Sequence, residues 1–170
     1  PTVVTRSELL HTTKGIAAAA SSAIVVNPVN VNDGGGPPVG LCFCTTTYST
    51  IAAILAMRML NRVYLPLDVS NSPVKRLRRL CDVYGCTTLV CDLLSLKAAM
   101  AIAQCVDNSR DDDEPLTVVQ TDITRRAPSE FCVPSSDCPE PLWAVMPTSG
   151  STGEPKGLLL TETGVLNRCD

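Results

Sequence analysis

Short aliphatic runs of strand length recur along this chain, and most are separated by a segment of helix length. The runs are Val39-Gly40-Leu41-Cys42-Phe43-Cys44, Val63-Tyr64-Leu65, Thr87 to Cys91, Leu116 to Gln120 and Leu142-Trp143-Ala144-Val145-Met146. The first and last lack polar alternation, as strands buried on both faces do. Tyr48 to Leu60, rich in Ala, Ile, Leu and Met, reads as a buried helix. Further helices are expected from Pro73 to Gly85 and from Leu93 to Cys105. Ahead of the first strand, Thr5-Arg6-Ser7-Glu8 fits a capping box and opens an Ala-rich helix to about Ser21. Strands alternating with helices predict βαβ units, hence an α/β fold with a mainly parallel sheet and helices on both faces.

Local punctuation sets the expected boundaries. Asn61 stands where a helix C-cap would sit and tolerates the left-handed conformation. Pro66 is expected to stop the second strand and Pro147 the last, while Pro73 suits a first helical turn. The helix it opens should turn Lys75, Arg76, Arg78 and Arg79 outward and Val74, Leu77, Leu80 and Cys81 inward. Gly85 should end it. Trp143 reads as a core residue. Residues 27–38 and 107–115 read as loops, the first rich in Gly, Pro and Asn, the second acidic.

Composition excludes several classes of function. With 170 residues, 45% apolar and 18% charged, the chain has the make-up of one globular domain rather than a disordered segment. A net charge of −3 argues against a dedicated nucleic-acid binder. The longest nearly apolar run, Gly15 to Val26, is twelve residues, whereas a membrane span needs about 20. No signal peptide is visible. The nine cysteines are odd in number and lie mostly in apolar runs, so they read as reduced core residues in a reducing, cytoplasmic compartment. Cys81, Cys86 and Cys91 lack the close pairing of a zinc site, and the one histidine, His11, is distant. Asp111-Asp112-Asp113-Glu114 reads as a solvated loop tip, and no metal site is expected.

One segment concentrates chemistry: Thr148-Ser149-Gly150-Ser151-Thr152-Gly153-Glu154-Pro155-Lys156-Gly157, directly after a buried strand. Its glycines allow tight turns and close backbone approach. Four hydroxyls, several backbone N–H groups and Lys156 converge on a small volume, which makes an anion nest suited to phosphate. The segment is neither a Walker loop, which needs Lys followed by Ser or Thr, nor a G-x-G-x-x-G dinucleotide fingerprint.

These residues resemble the phosphate-loop signature T-S-G-S-T-G-x-P-K-G of the adenylate-forming enzymes, the superfamily of acyl-CoA synthetases, luciferases and nonribosomal peptide synthetase adenylation domains. All nine fixed positions are present. Upstream, Ala56 to Asp68 resembles the family's A-x-L-K-A-G-x-x-Y-[VL]-P-L-D, and Pro73 with Arg76-Leu77 its Y-P-x-x-R-L helix. Val39-Gly40-Leu41 resembles the strand before, and Thr5 to Ile16 the opening T-Y-x-E-L helix. The Pro66-Leu67-Asp68 ending is closer to the amino-acid-activating branch. Asn61 replaces the family's Gly, Pro147 a common Tyr, and Glu162 the His that usually follows the signature strand. A carboxylate near bound phosphate is tolerable only if it points away.

The resemblance implies that residues 1–170 are the N-terminal portion of an AMP-binding domain, ending after the phosphate loop. The family's catalytic lysine and substrate pocket come later, so the fragment holds no catalytic residue and is expected to be inactive alone. ATP, accompanied by Mg2+, would convert a carboxylic acid, an amino acid or related acid, to an acyl-adenylate and pyrophosphate. The acyl group would then pass to coenzyme A or to a carrier's phosphopantetheine. The implied cofactor-binding residues are Thr148, Ser149, Gly150, Ser151, Thr152, Gly153 and Lys156. A non-catalytic relative that keeps the fold as an interaction module is the alternative, suggested by Asn61 and Glu162.

Overall fold

The expected alternation is realised as α1 (Arg6–Ala23), β1 (Val39–Cys42), α2 (Tyr48–Met59), β2 (Tyr64–Leu67), α3 (Val74–Tyr84), β3 (Thr88–Cys91), α4 (Leu96–Gln104) and β4 (Thr117–Gln120). It continues as β5 (Leu142–Thr148), β6 (Lys156–Thr161) and α5 (Glu162–Leu166). The structure, a computed structural model, describes residues 3–24, 36–43, 48–105, 115–121, 141–148 and 156–167. The acidic segment Asp111 to Glu114 and most of the 27–38 loop lie outside the described residues. The sheet has the order β4-β3-β1-β2-β5-β6; every pairing is parallel except β5 with β6. No described helix is long and apolar enough to cross a membrane.

Successive strand residues point to opposite faces, so fully buried strands feed two cores. Val39 and Leu41 of β1 and Val90 of β3 pack with Ile16, Ala17 and Ala20 of α1 and Ala52, Ala53, Ala56 and Met57 of α2. The small side chains let α1 and α2 lie close together, and the Thr12 and Tyr48 hydroxyls bond across them at 3.0 Å. On the other face Leu65, Leu67, Leu89 and Cys91 pack with Leu77, Leu80 and Cys81 of α3 and Ala99 and Ile102 of α4. Each fully buried Leu- or Ile-sized side chain contributes about 1.5–3 kcal/mol, so these two layers hold the sheet.

The caps follow local chemistry. Thr5 and Glu8 form the expected capping box: the Glu8 N–H donates to Thr5 Oγ1 at 3.2 Å, and the Thr5 N–H to Glu8 Oε2 at 2.7 Å. Asn61 takes a φ of 52° and Gly85 one of 67°. At Gly85 this left-handed turn brings the Cys86 N–H onto the Cys81 carbonyl at 2.8 Å and closes α3.

Five sequence expectations are corrected. Pro66 does not stop β2 but sits inside it, opposite Leu41. The Val39 N–H donates to the Val63 carbonyl, and the alternation of a parallel ladder then turns Tyr64 and Pro66 toward β5. There the pairing register contains Tyr64 with Ala144 alone, so the N–H that proline lacks is not needed. Pro147 likewise lies within β5, opposite Gly157. The helix after β3 begins at Leu96 rather than Leu93, because the Asp92 carboxylate accepts from the Ser95 N–H at 2.8 Å and holds residues 93–95 in a turn. Arg78, expected outward, is buried. Its Nε donates to Asp82 at 2.9 Å and its Nη1 to the Ala103 carbonyl at 3.3 Å, so the guanidinium ties α3 to the end of α4. Trp143 is half-buried rather than a full core residue.

Cys42, Cys81, Cys86 and Cys91 are buried thiols outside any disulfide, and Cys105 is a half-buried one. Cys44, Cys132, Cys138 and Cys169 lie outside the described residues. Cys81 is held protonated by its hydrogen bond to Cys86 and by burial, and burial beside Asp92 pushes the Cys91 thiol up to about 11.

Candidate phosphate-binding site

The signature segment begins at the last residue of β5 and ends at the second residue of β6, its antiparallel neighbour. β5 runs parallel to the body of the sheet, so Thr148 lies at the sheet's carboxyl edge, where open α/β sheets bind ligands. The antiparallel register places Met146 opposite Leu158, Pro147 opposite Gly157 and Thr148 opposite Lys156, the last rung before the turn. Of the seven residues implied as nucleotide-binding, Thr148 and Lys156 are described and are brought together as cross-strand partners. Ser149, Gly150, Ser151, Thr152 and Gly153 lie outside the described residues.

The neck of the hairpin has its own bonding. Thr148 Oγ1 donates to the Lys156 carbonyl at 2.9 Å. A hydroxyl has one proton to give, so in this state Thr148 closes the neck and offers a phosphate only acceptor lone pairs. Both Thr148 and Lys156 are exposed, which leaves the Lys156 ammonium at the tip in water.

Gly157 is where sequence reasoning missed a contact. A Cβ added there would lie 2.8 Å from Tyr84 Cε1, 2.9 Å from its hydroxyl oxygen and 3.0 Å from Cζ. These are well inside the roughly 3.5–4.0 Å of a normal carbon contact. The Tyr84 ring, carried by the last residue of α3, therefore occupies the space a side chain at 157 would need. Partial burial raises the Tyr84 phenol above its ordinary value, so it stays neutral near pH 7. No spacing or periodicity in the sequence connects residue 84 with residue 157.

Glu162, flagged as an unfavourable carboxylate, is accounted for by geometry. Its N–H donates to the Pro141 carbonyl, which puts it beside the start of β5, at the other end of β6 from the turn. Six strand residues at about 3.3 Å each separate the two ends by roughly 20 Å. Arg58 grips the carboxylate with both arms of its fork, Nε to Oε1 at 2.9 Å and Nη2 to Oε2 at 2.5 Å. Arg58 itself stands where the pattern A-x-L-K-A-G has Leu. Two departures from the family pattern thus meet as one ion pair that links α2 to the start of α5.

Among the described residues no group of three or more His, Cys, Asp or Glu side chains could hold a metal. Lys75, Arg76 and Arg79 are exposed along α3, and His11 is exposed on α1.

The AMP-binding enzyme family model matches residues 33–170. The chain belongs to that family of adenylate-forming enzymes. It is 34% identical over 140 residues to the nonribosomal peptide synthetase sirP of Leptosphaeria maculans, covering 81% of this chain and 6% of that protein. It is 30% identical over 144 residues to the nonribosomal peptide synthetase agiA of Aspergillus flavus, covering 84% of this chain and 2% of that one. The chain thus spans a small fraction of the relatives it matches. Among solved structures, McyG A-PCP complexed with phenylalanyl-adenylate superposes with a TM-score of 0.73 at 22% identity, over 98% of this chain and 25% of that one. This last likeness bears on the fold.

Proposed function

We propose that this chain supplies the ATP phosphate-binding loop of an enzyme that activates a carboxylic acid, an amino acid or related acid, for transfer to a thiol. The observation that carries the reading is the complete signature of residues 148–157 at the turn of a hairpin on the carboxyl edge of a parallel sheet. In the reaction a carboxylate oxygen attacks the α-phosphorus of ATP. The acyl–phosphate bond forms, the bond to the β-phosphate bridging oxygen breaks, and pyrophosphate leaves. Charge develops on the departing pyrophosphate, so catalysis is mainly positioning and electrostatic stabilisation. Ser149, Ser151 and Thr152, with the amides of Gly150 and Gly153, suit the β- and γ-phosphates, Thr148 joins them only by turning its proton away from the Lys156 carbonyl, and Lys156 supplies positive charge. Mg2+ bound with the ATP would neutralise further phosphate charge.

The likeness to peptide synthetases supports an amino acid as the substrate and a phosphopantetheine carrier, rather than coenzyme A, as the acceptor. The buried free thiols support a reducing compartment, the cytoplasm. The alternative of a non-catalytic relative loses its two supports: Asn61 adopts the left-handed backbone that glycine would, and Glu162 is paired far from the turn. The test is ATP–pyrophosphate exchange by the longest natural chain that carries these residues, against a panel of amino and aryl acids. Exchange that requires one acid of the panel is expected. A folded protein whose exchange no acid stimulates would contradict the reading.

A further inference from the structure

We propose that Tyr84 is a positioning residue for nucleotide binding, acting through Gly157; the proposal rests on the phosphate-loop reading above. Four observations converge. The Tyr84 ring fills the space beside the Gly157 Cα, so that a Cβ there would lie 2.8–3.0 Å from ring atoms and something must shift. The ring's own backbone is fixed, since Tyr84 is the last residue of α3 and is followed by the left-handed Gly85 cap and the Cys86–Cys81 bond. Its packing also places it with the α3–α4 core cluster. Gly157 is the second residue of β6, directly after Lys156 and opposite the rigid Pro147.

Strand alternation turns this contact into an orientation. The vacant Cβ direction at Gly157 faces Tyr84 and the α3–α4 side of the sheet. The preceding residue, Lys156, therefore projects to the opposite side, with its cross-strand partner Thr148. The ring thus sets the depth at which β6 seats on the body of the protein and the face from which the Lys156 ammonium leaves the hairpin. A larger residue at 157 must push the ring aside or lift the strand, and a smaller one at 84 lets the strand settle. Either change misplaces the cation relative to the turn while the two cores remain intact. Because Tyr84 acts through Gly157 on the placement of Lys156, its influence falls on the KM for ATP and not on that for the acid.

The experiment is a double-mutant cycle in the longest natural chain, read as pyrophosphate exchange with ATP and acid varied separately. Gly157→Ala should raise the KM for ATP by about tenfold or more, with the acid KM unchanged; misplacements of about 1 Å carry effects of this size. Tyr84→Ala alone should raise it about threefold to tenfold, and Tyr84→Phe, which keeps the ring, should retain the parent KM. The double variant Tyr84→Ala, Gly157→Ala should recover to within about threefold of Tyr84→Ala alone, because the clash is gone and the effects of contacting residues do not multiply. Thermal midpoints taken in parallel identify any loss that tracks folded protein. Multiplying losses in the double variant, an unaffected Gly157→Ala, or losses confined to folded fraction would overturn the role of Tyr84. With these, a Lys156→Ala defect would leave the phosphate-loop reading standing. A wild-type chain without exchange, or an unaffected Lys156→Ala, would overturn that reading and the role of Tyr84 with it.

Discussion

The body of the sheet and its β5–β6 arm are stabilised by different means. Every residue of β1 and β3 is buried, with α1 and α2 on one face and α3 and α4 on the other. In β6, by contrast, the first four residues are exposed, and Leu158 and Leu159, on opposite faces, are each 56% accessible. The arm is held by its ladder to β5, by the Thr148–Lys156 bond, by Tyr84 against Gly157 and by Arg58 on Glu162. The lesson is a division of labour. Burial fixes the platform, and a few directional contacts hold the two strands that flank the proposed phosphate loop. Sites that must engage a ligand commonly occupy such low-burial regions.

The largest expected effects break the body and spare the arm. Leu89→Ala removes a fully buried side chain from the α3–α4 core and should cost about 2–5 kcal/mol of unfolding free energy. Leu158→Ala should cost within about 0.5 kcal/mol. Denaturant unfolding of the two variants measures the contrast, and equal losses would erase the distinction between the regions. Next is Asp82→Ala, which leaves the buried Arg78 guanidinium without its carboxylate; hydrogen bonds to charged groups make a loss of about 1.5–3 kcal/mol the expectation. An unchanged midpoint would mean that the guanidinium escapes to solvent.

Alkaline pH acts on the body too. Because the folded Cys91 thiol is raised to about 11, above its unfolded value near 8.5–9, the native state holds its proton more tightly. That stabilisation is complete below about pH 8.5 and is lost as pH climbs toward 11. Urea midpoints should therefore fall over this window, and Cys91→Ala should flatten the fall. A fall identical in Cys91→Ala would assign it to other groups. The smallest effect belongs to the arm's far end. Arg58 and Glu162 are each about a quarter to a third exposed, so Glu162→Gln should change stability by no more than about 1 kcal/mol. It should leave the KM for ATP unchanged, given the roughly 20 Å to the turn. A tightened ATP KM would place the carboxylate near phosphate after all.

Most of the platform was legible because its signals are local. Unalternated aliphatic runs, the Thr5–Glu8 box, the Gly85 stop and the left-handed Asn61 each depend on neighbouring residues, and each took its expected form. What escaped depends on tertiary partners. Pro66 reads as a strand stop until its ladder partner on that side proves absent. Arg78 reads as a surface charge until Asp82 and the Ala103 carbonyl receive it. Leu93 reads as helical until Asp92 caps the turn. The signature of residues 148–157 could be found by its own letters. The reasons for Gly157 and for a carboxylate at 162 could not, since they lie at Tyr84 and Arg58, far away in the chain.

The central claim is that the turn between Thr148 and Lys156 binds the phosphates of ATP while contributing little to the fold. The most direct measurement is the KM for ATP and the kcat of pyrophosphate exchange for Lys156→Ala against the parent, in the longest natural chain, with thermal midpoints recorded without nucleotide. Loss of one charge-assisted phosphate contact, about 1.5–3 kcal/mol, corresponds to a fall of roughly 10- to 150-fold in kcat/KM for ATP. The account predicts that fall together with a thermal midpoint within about 2 °C of the parent. Unchanged exchange kinetics, or a deficit that disappears once activity is expressed per folded molecule, would contradict it.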